Sequence, residues 1–423
     1  MLSDLAFGIA ERGADVSVVT SRLRYSGSGD LLPRRERISG VETIRIATSN
    51  FGRHGLLLRA VDYLTFYVSA IFALLRMLRA GDVLVAMTDP PMLAVIAVPI
   101  ARLRGARVIV WSQDLFPEVA EALSVLGSQG RTVFSALRFL RNASHRRADM
   151  NVVIGERMAD RLAATGVPAS RISVIPNWAD CEELRPVDGD RNPLRGAWGL
   201  EGCFVVGYSG NLGRAHDVET LLSAAALIEA RNSIALLPPI RWLFIGGGHL
   251  FSEAAREADA RGLRSVSFQP YQPRQRLPQS LGAADVHLVI LRPELEGLIV
   301  PSKFYGIAAA GRASIFIGAP DGEIARVIRQ HKCGLHVQMG DAEALANAVL
   351  QLMNAREETK RMGERARLAC EAYYDKAHAI RSWASVLGLN PSGETSHEAE
   401  RIDLNLTAAY SGDIRPQRQT AES

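Results

Sequence analysis

Apolar residues fall into short blocks separated by polar turns. Over residues 2–12, Leu2, Leu5, Ala6, Ile9 and Ala10 recur at helical spacing. Val16-Ser17-Val18-Val19-Thr20 and Glu42-Thr43-Ile44-Arg45-Ile46 have the length and β-branched content of strands, with residues 21–37 between them as a polar loop. A long helix is expected over about residues 56–79. Strands follow at 82–87, 107–111 and 150–154, with helices at 91–103 and on to about 148. A short strand at 172–175 ends in the turn Pro176-Asn177-Trp178-Ala179-Asp180. Strands alternating with helices predict a parallel, doubly wound sheet. Such a sheet normally opens on a strand and a Gly-rich turn. This series opens on a helix: either the first strand is replaced, or, the favoured expectation, it lies upstream of Met1.

The polar segment 182–193, rich in Pro, Asp, Gly and Asn, reads as a linker. A second alternating series begins at Phe204-Val205-Val206-Gly207-Tyr208. It continues through a helix from Asp217, the strand Arg241-Trp242-Leu243-Phe244-Ile245, a short strand at 266–268 and the apolar run 286–291. Residues 300–318 read as loop, short helix, strand. Helices fill 342–387, and the polar stretch 390–423, without periodicity, is expected to be a disordered tail. The expected division is a first domain over 1–185 and a second over 186–369, with a helix near 370–387 that returns to the first.

Composition narrows the class. With 423 residues the chain can form two sizeable domains. The four cysteines, Cys181, Cys203, Cys333 and Cys370, have no metal-ligand spacing and fit a reducing compartment. No H-E-x-x-H, D-x-D or zinc pattern calls for a metal, and no aromatic-rich basic motif points to nucleic acid. The longest uncharged apolar runs, 63–75 and 90–101, are shorter than the ~20 residues that span a bilayer. Charge is uneven. Residues 1–150 hold 19 arginines, no lysine and 13 acidic residues, a surplus of six in a chain whose whole net charge is +4. Arginines beside apolar stretches favour an anionic membrane surface as a partner; a solvated surface explains them equally well.

Two turns carry candidate chemistry. Gly207-Tyr208-Ser209-Gly210-Asn211-Leu212-Gly213-Arg214 lies between a strand and a helix. Its glycines, Gly210 and Gly213 among them, let backbone approach a bulky ligand, and Arg214 offers a bidentate fork suited to phosphate. Val300-Pro301-Ser302-Lys303 opens the short helix, with Pro301 at its first turn and free amides beside one of only four lysines in the chain. Ile245-Gly246-Gly247-Gly248 is a second Gly-rich turn at a strand end. In Phe268-Gln269-Pro270-Tyr271, the Tyr271 ring suits either a nucleobase or core packing. Arg214 and Lys303 both fall at strand-to-helix turns of one parallel domain, where ligands bind, and together they would offset the charge of a diphosphate leaving group.

These motifs resemble those of the family 4 retaining glycosyltransferases, in particular the bacterial polysaccharide and colanic-acid branch. The similarity runs through residues 16–22, 114–118, 174–180, 207–214, 244–247, 283–285 and 300–311. The resemblance implies an α/β protein of GT-B fold, with two Rossmann-like doubly wound domains facing a central cleft, the N-terminal one lacking its first strand here. It implies a UDP- or GDP-linked sugar as substrate, no other cofactor, no metal, and a lipid-linked or glycan acceptor at the cytoplasmic membrane face. Arg214 and Lys303 would hold the donor diphosphate, helped by Asn211, Val300, Pro301 and Ser302. Gly246 and Gly247 would line the donor site, the 268–271 loop would face the base, and Asp114 would lie on the acceptor side. Transfer with retention by front-face attack is implied, the leaving phosphate taking the acceptor's proton.

The sequence departs from the family at two places. The ribose-binding Glu expected five residues before Gly311 is Gly306, and the residue eight before it is Leu298. Nearby Glu296 either substitutes for the sugar-facing carboxylate or is a solvated loop charge. Ser112, Gln113 and Asp114 stand where a His is common. A nucleotide-sugar epimerase of the same architecture, or a donor-binding scaffold subunit without turnover, are the alternatives.

Overall fold

The computed structural model describes residues 1–23, 31–51, 56–123, 131–232, 239–389 and 405–408. The chain forms two compact units, one of residues 1–176 with 379–423, the other of residues 177–378.

In the first unit the helix α1 (Leu2–Ala10) precedes β1 (Ser17–Ser21), β2 (Arg35–Ile38) and β3 (Val41–Ile46). Then come α2 (Leu56–Met77), β4 (Val83–Met87), α3 (Ala94–Arg104), β5 (Arg107–Ser112), α4 (Glu118–Ala122), α5 (Arg131–Arg147), β6 (Met150–Val153), α6 (Glu156–Ala163) and β7 (Ile172–Val174). β1, β4 and β5 are buried almost throughout, which is why they read as continuous apolar runs.

The sheet order is β2-β3-β1-β14-β4-β5-β6-β7, where β14 is Asn405–Ala408. Every pairing is parallel except β2 with β3. β14 fills the position between β1 and β4 for which the chain ahead of β1 supplies no strand. The expectation of a structureless tail therefore fails at 405–408; the rest of 390–423 lies outside the described residues. Four residues are too few for alternation to show in sequence. The position itself favours a strand, because β1 and β4 otherwise present unpaired N–H and C=O groups inside a sheet.

A second correction concerns β2, which occupies part of the segment expected to be polar loop. Ser39 and Gly40, at φ 48° and 83°, turn it back onto β3 in the manner of a two-residue hairpin. Arg35, Glu36 and Arg37 are exposed, as suits an edge strand, and their charge hid it in the sequence.

Residues after 378 complete this unit. The Trp383 ring lies 4.8 Å from that of Trp111 in an edge-to-face contact, both fully buried. A Cβ at Gly8 would come within 2.3 Å of the Ile380 side chain, so α1 and this segment meet at a glycine.

The second unit contains α7 (Pro193–Ala197), β8 (Phe204–Asn211), α8 (Val218–Asn232), β9 (Ile240–Gly247), α9 (Phe251–Ala260), β10 (Val266–Pro270), α10 (Leu277–Gly282) and β11 (Val286–Ile290). It continues through α11 (Lys303–Ala309), β12 (Ala313–Ile317), α12 (Glu323–His331), β13 (Gly334–Val337), α13 (Ala342–Asn354), α14 (Arg356–Ala369) and the start of α15 (Lys376–Leu387). Its sheet is wholly parallel, in the order β10-β9-β8-β11-β12-β13. From the central pair β8 and β11 the chain winds outward in both directions. That reversal makes the carboxyl ends of β8 and β11 the topological switch point, where a parallel sheet leaves a crevice. One face of the sheet is closed by a core that includes Phe204, Val206, Trp242, Phe244, Leu288, Leu345 and Leu352.

Candidate functional site

The site grows from the ends of β8 and β9. Gly210 pairs with Gly246 and Asn211 with Gly247. Gly246 has φ 141°, and a Cβ there would fall 2.1 Å from the Gly210 carbonyl oxygen. No other residue fits this position, so the two strands close on a floor of backbone alone. A Cβ on Gly247 would meet the Tyr271 ring at 2.9 Å. Tyr271, 59% exposed, thus lies over a glycine.

Across the switch point stands Lys303, the first residue of α11. Its Nζ donates to the Tyr208 hydroxyl at 2.6 Å and lies 3.1 Å from His216 Nε2 and 4.0 Å from the Tyr208 ring centroid. The Tyr208 hydroxyl in turn donates a hydrogen bond to the Asn211 carbonyl, 2.8 Å away. His216 Nδ1 lies 3.0 Å from the Gly213 carbonyl and 3.1 Å from the Gly213 amide. With Nδ1–H donated to that carbonyl, Nε2 is left as an acceptor for the lysine.

Burial pushes the Lys303 ammonium down to about 7. Burial, and then the lysine's charge, push His216 down to about 4. Burial raises Tyr208 well above the usual phenol range. The ammonium therefore rests between a neutral phenol and a neutral imidazole. Neither offsets its charge, and an arriving anion would.

Of the β8 turn residues expected to act with Lys303, Gly210 lies close to it, a Cβ there falling 3.9 Å from Lys303 Cε. Arg214 is exposed on the turn between β8 and α8. The Arg292 amide bonds the Ala215 carbonyl at 3.1 Å, tying that turn to the loop that leads from β11 toward Lys303. Pro301 and Ser302 lie just ahead of α11 rather than in its first turn. The Phe304 and Tyr305 amides return to their carbonyls at 3.2 and 3.3 Å, so the chain turns before the helix begins. Val300 is buried.

Glu296 is not a solvated loop charge. It is buried, and its Oε2 accepts the Glu323 amide at 3.2 Å, at the start of α12. A Cβ on Gly322 would come within 2.2 Å of Oε1. A carboxylate against a helix N-terminus is electrostatically favourable. Gly306 is a different kind of glycine from Gly246. A Cβ there would make ordinary 3.8 Å contacts with Leu184 and Leu281, so neither space nor backbone angle demands it.

Tyr208 and His216 were not singled out from the sequence. Tyr208 reads as one more apolar strand residue. A lone His three residues past a glycine gives no sign that a lysine 87 positions away will reach it.

In the first unit, Asp114 follows β5 at the carboxyl edge of that sheet. Burial pushes its carboxyl up to about 6, against a hydrogen bond with Thr88, and the nearby Asp89 charge pushes it further. The Gln113 amide donates to Thr88 Oγ1 at 3.1 Å.

Two family models match the chain: a glycosyl transferase 4-like domain over residues 1–178 and glycosyl transferases group 1 over residues 190–369. Among curated proteins the chain is similar to one from Escherichia coli K12 named as a colanic acid biosynthesis glycosyl transferase, WcaI. Identity is 26% over 313 residues, which is 72% of this chain and 75% of the relative. It is also similar to a Pseudomonas aeruginosa protein named as glycosyltransferase WbjE, 28% identical over 64% of this chain and 66% of the relative. Among solved structures, sucrose-phosphate synthase from Thermosynechococcus elongatus superposes with a TM-score of 0.70 at 17% identity, covering 90% of each chain. WaaG, a glycosyltransferase involved in lipopolysaccharide biosynthesis, does so at 0.65 and 15%, covering 92% of this chain and 95% of its own. Anabaena HepE in complex with UDP-glucose gives 0.62 and 17%, covering 82% and 86%. At these identities the structural matches speak to the fold.

Proposed function

The chain belongs to the group 1, family 4 glycosyltransferases of GT-B fold, and from that premise we propose that it transfers a sugar from a UDP- or GDP-linked donor to a lipid-linked or glycan acceptor, with retention of configuration and without a metal. Its place in polysaccharide biosynthesis is supported by its relative WcaI, named for colanic acid biosynthesis.

The observation that carries the donor reading is the half-buried ammonium of Lys303 at the switch point, held by neutral partners beside Gly210 of the glycine floor. A nucleoside diphosphate supplies the missing negative charge. Lys303 and Arg214 would take the two phosphates, backbone at Gly210, Asn211 and Gly213 would lie against them, and Tyr271 would carry the base over Gly247. As the bond from the anomeric carbon to phosphate breaks, negative charge grows on the leaving diphosphate, and fixed cations lower that barrier. The acceptor hydroxyl attacks from the face the diphosphate leaves and gives its proton to a departing phosphate oxygen. One C–O bond breaks, one forms, and the proton ends on the nucleoside diphosphate. Whether Glu296 orients the sugar while holding α12 belongs to the same proposal.

Calorimetry with UDP and GDP tests the donor part. One of them should bind, and no heat from either would overturn the reading. NMR of the product's anomeric signal against the donor's tests retention, and an inverted product would overturn that step.

A further inference from the structure

Sugar transfer leaves unused a pair of thiols in the second unit. All four cysteines are free and buried. Cys181 and Cys370 stand 189 positions apart in the chain, yet their sulfurs come within 3.3 Å. Cys203 and Cys333 make no sulfur–sulfur contact among the described residues.

The pair sits where the chain enters and leaves this unit. Cys181 lies just after the entry at Asn177, and Cys370 just before the exit at His378. The two segments are already fastened to each other. Ala179 and Asp375 pair as a parallel bridge. The Ala179 amide donates to the Tyr374 carbonyl at 2.9 Å, and the Lys376 amide to the Ala179 carbonyl at 2.8 Å. The Cys181 amide donates to Asp375 Oδ1 at 3.0 Å, Lys376 Nζ pairs with Asp180 at 2.5 Å, and Arg367 Nη2 donates to the Cys181 carbonyl at 2.7 Å. The backbone beneath both sulfurs is thus held in register. From 3.3 Å to the ~2.05 Å of a disulfide is a step that rotation of two short side chains supplies.

The two sulfurs differ in access. Cys181 lines a cleft of about 730 Å³, together with Arg185, Arg367, Glu371 and Asp375. Acids outnumber bases in the lining of that cleft, which suits an uncharged reagent better than an anionic one. Cys370 is sealed, at 0% exposure, in the π-helical turn Cys370–Tyr374, its Sγ 3.7 Å from the Tyr305 carbonyl. The hydrogen bond with Cys181, and then burial, hold its thiol well above the usual range. Cys181 is therefore the sulfur that meets a reagent, and Cys370 the one that waits behind it.

We propose that Cys181 and Cys370 are a redox-active dithiol site whose substrate is a small uncharged disulfide, and that the bond formed locks the entering and leaving segments together. Cys181 attacks one sulfur of the small disulfide, forming a mixed disulfide and releasing one thiol that carries off its proton. The Cys370 sulfur then displaces the second thiol from Cys181 Sγ, and its own proton leaves on that thiol. The protein loses two electrons and two protons, and the small disulfide gains them as two thiols. A bond of this kind in a reducing compartment is transient and senses the redox state. The site stands whether or not the protein turns over a donor.

Incubating the folded full chain with hydroxyethyl disulfide and counting thiols after denaturation tests it. The parent should fall from four thiols to two, and peptide mass mapping should join Cys181 to Cys370. Cys370→Ala should stop at a mixed disulfide on Cys181, and Cys181→Ala should take up no reagent on Cys370. In the oxidised parent the Ala179 and Lys376 amides should exchange with deuterium about 10-fold more slowly, and dithiothreitol should restore the original rate. Four thiols in the treated parent, or a bond mapped to Cys203 or Cys333, would overturn the site. Unchanged exchange at Ala179 and Lys376 in the oxidised protein would overturn the lock.

Discussion

Lys303 in the second unit and Asp114 in the first occupy equivalent places, each beyond the carboxyl edge of a parallel sheet. Burial acts on both and drives both toward neutrality, the ammonium down to about 7 and the carboxyl up to about 6. Their surroundings differ. Lys303 touches a phenol and an imidazole that cannot take its charge. Asp114 has the Thr88 side chain to bond it and a second carboxyl, Asp89, behind it. A cation surrounded by neutral groups is arranged for an anion that has yet to arrive. An acid backed by another acid is arranged to keep its proton longer. Burial thus leaves one edge with a cation that favours an anion and the other with an acid that holds its proton.

Removing the cation should have the largest effect. Lys303→Met is expected to lower kcat/KM by 10² to 10³, about 3–4 kcal/mol of transition-state stabilisation, in a donor-saturation assay. An unchanged value would end the comparison. On the proposed role of Lys303 as the cation for the donor, affinity should fall as pH rises through about 7, and calorimetry across pH 6–9 reads this directly. The same group bears on stability. The unfolded chain holds its lysine proton up to about 10.5 and the folded one only to about 7, so stability without ligand rises with pH between those values.

Asp114 acts in the opposite direction. Its folded carboxyl stays protonated to about 6 against 3.8 unfolded, so its contribution to stability falls as pH rises through that window. Asp114→Asn keeps a hydrogen-bonding group toward Thr88 and removes the charge. It should stabilise the protein above pH 6 by about 1–3 kcal/mol in denaturant melts. Equal stability of parent and variant at pH 5 and pH 8 would show that burial does not act on Asp114 as on Lys303.

Two smaller changes sharpen the second unit. Glu296→Gln keeps an acceptor at the Glu323 amide but loses its charge against α12, and should cost about 0.5–1 kcal/mol in thermal melts. If kcat falls while stability holds, the carboxylate also serves the sugar. Gly306→Ala should stabilise by about 0.5–1 kcal/mol, since a helix gains from alanine and the space is free. A loss of stability would mean that Gly306, like Gly246, is required by its surroundings.

Much of this was legible along the chain. Buried parallel strands leave continuous apolar runs, and the strands at 16–20, 82–87, 107–111 and 286–291 stand close to those runs. The edge strand β2 and the four-residue β14 were not legible. The first is charged because it faces solvent, and the second is too short for a pattern. Two glycines that look alike in sequence separate only in space, Gly246 pressed on a carbonyl and Gly306 beside room for a side chain.

By itself the sequence determined the alternation of strands and helices, the two Gly-rich turns and the scarcity of lysine, because these follow from local spacing and composition. Only the tertiary structure decided that Lys303 meets Tyr208 and His216, that Glu296 is buried against the start of α12, and that an apolar helix keeps one side in the open. Each of these depends on residues far apart in the chain being brought to one sheet edge or one surface, where burial and charge then act on them together.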